Sequence, residues 1–310
     1  MTIAESIIGA GKELVKEGLI VRTWGNVSSR IDENRFLITA SGRDYQTLRE
    51  EELVQIHIAD FTYTGAVKPS SELQVHGEIY RQHPEAKFII HTHQENASAL
   101  SAMGAECIAL DLPVLGIGKT LYCSDYGPSG SRLLAGNVAK TLRTACGQGL
   151  LMKNHGVICF GESAKEVFSI AKALEAAAEI YLRGCSKELE TAQQYSPQKM
   201  EDGVSLLNCD DLTIRLTKER ADLPAYIDDY AQIVGSGADM PIKLLPGKGI
   251  LCQGKTLEES EILFLLVRKN CKAYFAAKAV AEKNPKAMPL DDEAVAAMHN
   301  AYIHDYSLRI

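Results

Sequence analysis

Long apolar runs are missing from this 310-residue chain. No stretch of about 18 consecutive apolar residues occurs, so no membrane-spanning helix is expected. The first residues carry neither a basic segment nor an apolar one, and no signal peptide is expected. Closely paired cysteines are missing too. The 8 cysteines are scattered without a single CxxC spacing. That suits reduced thiols and a cytoplasmic location better than a disulfide framework. Clusters of lysine and arginine are absent, and 40 acidic residues outnumber 33 basic ones, for a net charge of −7. The balance argues against nucleic acid and against a membrane surface as partners. What is there is ordinary globular composition, 46% hydrophobic and 24% charged. The length fits one large domain or two smaller ones.

The pattern along the chain interleaves helices and strands. Thr2 and Glu5 form a capping-box signature ahead of a first helix. Segments 26–31 and 35–40 read as a hairpin turning at Asp32–Asn34, and 53–58 as a further strand. Another hairpin is expected to turn at Thr64–Gly65. Ser71 and Gln74 give a second capping-box pattern for a helix over 72–82, stopped at His83–Pro84. Strand 87–93 and helix 95–103 follow. Residues 107–135 read mostly as loop with short strand, and helix 133–146 overlaps their end. Strand 149–153, the turn Asn154–His155–Gly156 and strand 157–160 lead to a helix capped by Ser163. The several hairpins predict a mixed or mainly antiparallel sheet.

After Gly184 the chain turns polar, through Lys187, Glu188, Gln193, Gln194 and Ser196. A boundary is placed near 190–200. The remaining tail echoes the first part. With a constant offset, Gly156 falls on Gly249, Cys159 on Cys252, Gly161 on Gly254, Glu166 on Glu259 and Tyr181 on Tyr274. Lys248 stands where the first copy has His155. The expectation is a degenerate partial repeat without its own metal site, a structural or oligomer-forming element. Asp228–Val234 is expected to be its counterpart of strand 87–93.

Chemistry concentrates in the first part. In Phe88-Ile-Ile-His91-Thr-His93 the two imidazoles project from the same strand face, because side chains alternate along a strand. His155, at a tight turn after a buried strand, can point at the same cleft. Three histidines leaving an open position are the usual composition of a catalytic zinc site. Lys68-Pro-Ser70-Ser71-Glu72 offers hydroxyls and free N–H groups at a helix start, an anion site with a carboxylate beside it. The glycine turns at Gly25–Asn26 and Ser41–Gly42 could complete a phosphate nest. Trp24 reads as a packing residue, and His57, His76, His83, His299 and His304 carry no spacing signal.

In order, the segments TWGNVSSR at 23–30, ITASGRDY at 38–45, KPSSELQVHGEIYRQHPEAKFIIHTHQ at 68–94, YCSDYGPSGS at 122–131 and LLMKNHGVICFG at 150–161 resemble the class II aldolase/adducin family. The resemblance covers about residues 1–185. It implies a three-layer α/β/α sandwich around a mainly antiparallel or mixed sheet, with a smaller α/β C-terminal region. Residues 1–190 would be the catalytic domain and 191–310 the extension. It implies one Zn2+ per chain, with Mn2+, Co2+ or Fe2+ as alternatives, on His91, His93, His155 and Glu72. Glu72 would also be the acid/base. Gly25, Asn26, Ser41, Gly42, Ser70 and Ser71 would bind phosphate, and Tyr126 would serve the aldehyde oxygen. The implied reaction is reversible cleavage of a ketose 1-phosphate to dihydroxyacetone phosphate and an aldehyde through a metal-stabilised enediolate, in a C4 homotetramer. A 4-epimerase, a decarboxylase or a non-catalytic adducin-like module are the alternatives. Epimerases of the family usually carry aspartate at the Glu72 position and another histidine just after HxH. Here Gln94 follows, which favours the aldolase.

Overall fold

The computed structural model describes residues 2–21, 23–192, 196–235 and 240–306. Helix α1 (Ile3–Lys16) opens on the expected reciprocal cap: Glu5 N–H donates to Thr2 Oγ1, and Thr2 N–H to the Glu5 carboxylate. Its apolar face lies on the sheet through Ile7 and Leu14. The chain then forms β1 (Asn26–Arg30), β2 (Arg35–Ile38), β3 (Val54–His57), α2 (Leu73–Gln82), β4 (Phe88–Thr92) and α3 (Glu95–Ser101). Next come β5 (Cys107–Val114), β6 (Gly118–Ser124), α4 (Arg132–Leu142), β7 (Gly149–Met152), β8 (Gly156–Gly161) and α5 (Ala164–Cys185).

These strands make one sheet in the order β3-β2-β1-β4-β8-β7-β6-β5. Every pairing is antiparallel except β6 with β7. The central strands β4 and β8 are buried along their whole length, as their unbroken apolar runs require. Ile7, Leu14, Leu100, Leu174 and Ala178 from α1, α3 and α5 cover one face, over Val27, Ile90 and Val157. On the other face Val75 and Ile79 of α2 and Leu134 and Val138 of α4 pack on Ile38, Ile89 and Ile158. The result is the expected three layers around a mixed sheet.

Three local expectations fail. No strand forms around Thr64–Gly65; only Ala40 and Pro69 make an isolated bridge, because Lys68 O and Thr39 O take the N–H groups of Ser41 and Ser70. Ser71 does not cap α2. The cap position is Glu72, and its N–H donates to Ser70 Oγ at 3.3 Å, one residue earlier in the chain than the sequence pattern implies. Residues 107–124, read as loop with short strand, form a substantial hairpin whose strands pair as the sheet edge.

The tail holds α6 (Lys187–Glu190), β9 (Gln198–Lys199), β10 (Leu206–Asn208), α7 (Asp211–Glu219), α8 (Asp228–Val234), β11 (Ile242–Leu245), β12 (Gly249–Cys252), α9 (Leu257–Val280) and α10 (Asp292–Ala301). Of the polar stretch at the expected boundary, Gln193 and Gln194 lie outside the described residues. The tail strands form a second antiparallel sheet, β11-β12-β10-β9. The echo is visible in detail. Ser163 and Thr256 cap α5 and α9 by accepting from the N–H of Glu166 and Glu259. The two glutamates in turn accept from Glu162 N and Lys255 N. Leu207 stands opposite Leu251 in the small sheet as His91 stands opposite Ile158 in the large one. The counterparts of the three histidines are thus Leu207, Cys209 and Lys248. Asp228–Val234 is a helix and not the counterpart of strand β4; that place belongs to β10. The backbone of 228–234 bonds along itself instead of to a strand, with Ala231 N donating to Ile227 O at 3.1 Å and Gly235 N to Ala231 O at 3.0 Å, while Asn154 O accepts from Asp228 N at 2.9 Å. Tail and first part share one apolar cluster, with Leu206, Ile250, Val267 and Phe275 continuous with Leu100 and Leu174.

Candidate metal centre

Strand β4 ends at Thr92, with His91 inside it and His93 the first residue beyond it. Strand β8 begins directly beside it. Gly156 allows that approach, because a Cβ there would sit 2.4 Å from Thr92 O. His155 immediately precedes Gly156, and all three imidazoles are buried together. His91 Nε2 lies 2.8 Å from His93 Nε2 and 3.1 Å from His155 Nε2. Glu72, delivered by the loop before α2, brings Oε2 to 3.1 Å from His91 Nε2 and Oε1 to 2.9 Å from His155 Nε2.

The outward nitrogens explain this convergence. His91 Nδ1 faces Val157 O at 2.8 Å. A carbonyl only accepts, so Nδ1 carries the hydrogen and Nε2 presents its lone pair. His93 Nδ1 faces Asp229 Oδ2 at 3.4 Å, and His155 Nδ1 touches the Asp228 carboxylate. Carboxylates impose the same tautomer. Three nitrogen lone pairs and a carboxylate therefore aim at one point. In addition, three carboxylates, Glu72, Asp228 and Asp229, are buried around the histidines, and the buried Lys269 ammonium pairs with Asp229. That leaves Glu72 and Asp228 as buried negative charges, costly in an apolar interior unless a proton on His155 or a bound cation offsets them. Donor set and charge both fit a metal ion of the zinc type, N3O with room for a further ligand.

The ionisation of the cluster follows from the same contacts. Burial would raise the Glu72 carboxyl, but His91, His155 and the amide of Asn26 outweigh it and hold it well below the usual range. Burial would lower the His155 imidazole, but Asp228 and Glu72 outweigh it and hold it well above the usual value. His91 is pushed well below by burial and by its two histidine neighbours. A proton on His155 thus occupies the place that a cation takes on binding.

Beside the centre lies a polar cavity of about 110 Å³. Gly25, Asn26, Ser41, Gly42, Ser70, Ser71, Glu72 and His93 line it, so all six sequence-derived phosphate positions meet there. Gly25 adopts φ of +115°, and a Cβ there would lie 2.7 Å from His91 O. Asn26 is differently employed. Its Nδ2 donates to Glu72 Oε2 at 2.9 Å and its Oδ1 receives His76 Nε2. His76 Nδ1 then accepts from Ser28 Oγ at 2.6 Å, and Ser28 accepts from Tyr80 at 2.9 Å. This chain, Tyr80–Ser28–His76–Asn26–Glu72, locks the carboxylate from behind. Ser129 Oγ donates to Glu72 Oε1 at 3.1 Å. Tyr126 does not line the cavity; its hydroxyl packs 3.9 Å from Met298 Sδ, and Met298 does line it. Burial, with Asp228 and Asp291 nearby, raises the Tyr126 phenol, so it stays protonated.

Sequence reasoning missed several residues. His76 has no spacing signal because its partners are on β1. Trp24, read as packing, lines the cavity and donates from Nε1 to Gln232 Oε1 at 3.2 Å. Gln232, Met298, Ala301 and Tyr302 of the tail close the same cavity. Asp228 and Asp229 lie more than 70 residues beyond His155 in the chain, and nothing local ties them to it. The tail, expected as a structural or oligomer-forming element without a metal site of its own, places two carboxylates against the histidines.

Fold and site together define an α/β/α scaffold with a histidine-rich candidate metal site. The Class II Aldolase and Adducin N-terminal domain matches residues 5–182. The chain belongs to that family. It is 29% identical over 178 residues to a 5-deoxy-D-ribulose 1-phosphate aldolase of Bacillus thuringiensis, covering 57% of this chain and 83% of the relative. An L-fuculose phosphate aldolase of Haemophilus influenzae is 31% identical over 189 residues, 61% of this chain and 86% of the relative. Among solved structures an L-fuculose 1-phosphate aldolase superposes with a TM-score of 0.54 at 28% identity, over 58% of this chain and 84% of that one. The tail lies largely outside these matches.

Proposed function

We propose that this protein is a metal-dependent class II aldolase that reversibly cleaves a ketose 1-phosphate to dihydroxyacetone phosphate and an aldehyde. The observation that carries the reading is the convergence of three Nε2 atoms and the Glu72 carboxylate beside a cavity lined by Ser41, Ser70 and Ser71. A divalent metal such as zinc, on His91, His93, His155 and Glu72, supplies Lewis-acid stabilisation of the negative charge left when the carbon–carbon bond breaks. Serine hydroxyls and the backbone N–H groups at Gly25 and Gly42 hold the phosphate. They are neutral, so they fix its position more than its charge. Glu72, kept ionised and locked by Asn26, takes the proton from the hydroxyketone carbon during condensation and returns it during cleavage. The half-buried, protonated Tyr126 is assigned the proton on the aldehyde oxygen, which requires Met298 to move off its hydroxyl. We further read residues 1–190 as the catalytic domain and 191–310 as a degenerate repeat, in a homotetramer located in the cytoplasm.

The test is release of dihydroxyacetone phosphate from a panel of ketose 1-phosphates by metal-loaded protein, with all products identified. Glu72→Gln is expected to lower kcat by about 10²- to 10⁴-fold, the usual worth of a positioned acid/base. An unchanged rate, or an epimer or carbon dioxide as product, would overturn the assignment.

A further inference from the structure

We infer that the tail holds the metal centre in place: Asp228 and Asp229, at the start of α8, orient the His155 and His93 rings by accepting from their Nδ1 atoms. The inference rests on the metal-binding part of the proposed function and not on its substrate.

Four observations carry it. Among the described residues, the Nδ1 atoms of His93 and His155 are buried and make no hydrogen bond within standard geometry; a carboxylate is what each faces. Both Asp228 oxygens and Asp229 Oδ1 are likewise buried without a hydrogen-bond donor. Buried carboxylates without partners are costly, and a histidine Nδ1–H poised by metal on Nε2 is the donor that satisfies them. Second, the two residues are built into position. Asn270 of α9 accepts from Tyr226 N at 2.7 Å and Ile227 N at 3.1 Å, and donates to Pro224 O at 2.8 Å. Third, Asn154, next to His155, donates to Tyr226 O at 2.8 Å, tying the histidine turn to the same segment. Fourth, Lys269 Nζ contacts Asp229 and donates to His93 O at 3.1 Å. The ammonium neutralises Asp229 and leaves it an orienting acceptor. A second cation on His93, Asp228 and Asp229 would have to displace that lysine.

The measurement is metal affinity of the full chain, stripped and titrated with Zn2+ against a chromophoric chelator. Asp228→Asn and Asp229→Asn are each expected to weaken binding by about 10- to 100-fold, as loss of outer carboxylates does elsewhere. Stoichiometry should stay at one metal per chain. An affinity within about twofold of wild type, or two metals per chain with one lost in either variant, would overturn the inference. Because a buried substitution could unfold the chain, a second readout needs no variant. Long-range 1H–15N correlation of the Zn2+-loaded wild type should show His93 and His155 protonated at Nδ1 and metal-bound at Nε2. The reverse tautomer at either ring would refute the assignment. Metal binding with these properties but no ketose phosphate cleavage would refute the proposed reaction alone.

Discussion

His76 shows how a single side chain can support a site without touching its chemistry. Burial lowers its imidazole to about 3 from an ordinary 6.5. It is neutral in the folded protein, whereas the unfolded chain takes up its proton as pH falls below about 6.5. The unfolded state therefore binds more protons between those values, and folding stability falls as pH drops through them. Replacing His76 with glutamine, which cannot ionise, should lower the melting temperature at pH 7. It should also flatten the fall between pH 6.5 and pH 3 relative to wild type. Parallel melting curves for the two proteins across that range would show that His76 does not titrate in this way. Other residues were plain from the sequence. His91 and His93 share a strand face whatever the surroundings, and Cys159 and Cys252 are the small core residues their apolar strands imply.

The seam between α3 and α9 is where elements of the two parts of the chain meet by charge. Glu95, at the start of α3, pairs with Arg268 and Lys272, and Lys272 Nζ also donates to Asn96 Oδ1 at 2.8 Å. Burial would raise the Glu95 carboxyl, but Lys272 and Arg268 outweigh it and hold it below 4.5. A depressed carboxyl stabilises the fold above its unfolded value and loses that contribution as pH falls through the folded one. Glu95→Gln should thus cost about 1–3 kcal/mol at pH 7, less than a fully dry pair because the groups are partly solvated. The difference from wild type in denaturant midpoints should shrink below about pH 4.5. A constant difference down to pH 3 would mean that the charge is not what matters. Elements themselves were mostly legible: α1, α5 and the β7–β8 hairpin follow from caps, apolar runs and glycine turns. The 107–124 hairpin was not, since its edge strand alternates exposed and buried positions only as far as Leu110 and then exposes Asp111, Leu112 and Pro113, which also suits a loop.

At the scale of the molecule, the two parts are interdependent. The shared apolar cluster, the Asn154–Tyr226 bond and the cavity wall of Gln232, Met298 and Tyr302 all cross between them. A chain ending at residue 190 would expose Leu100, Ala97 and Leu174 to water and lose both aspartates. It is expected to aggregate or to melt well below the full chain, and to hold Zn2+ at least about 10-fold more weakly. A truncated protein that is monodisperse and keeps full metal affinity would show that the tail is an accessory. Exposed Leu112, Leu115 and Ile180 are available for contacts between copies, and light scattering would report whether the solution mass is that of a tetramer.

By itself the sequence determined the family, the layered α/β architecture, and the histidine triad with Glu72. Each is encoded within short segments, where strand alternation, caps and glycine turns act over a few residues. Only the tertiary structure decided what lies behind those histidines. Asp228, Asp229 and Lys269 reach the histidine cluster because α9 packs against α3 and α8, and the buried charge there is balanced by ammonium and imidazole from segments far apart in the chain. Such long-range charge balance leaves no periodic trace along a chain, so nothing in the tail's sequence showed that it stands against the site.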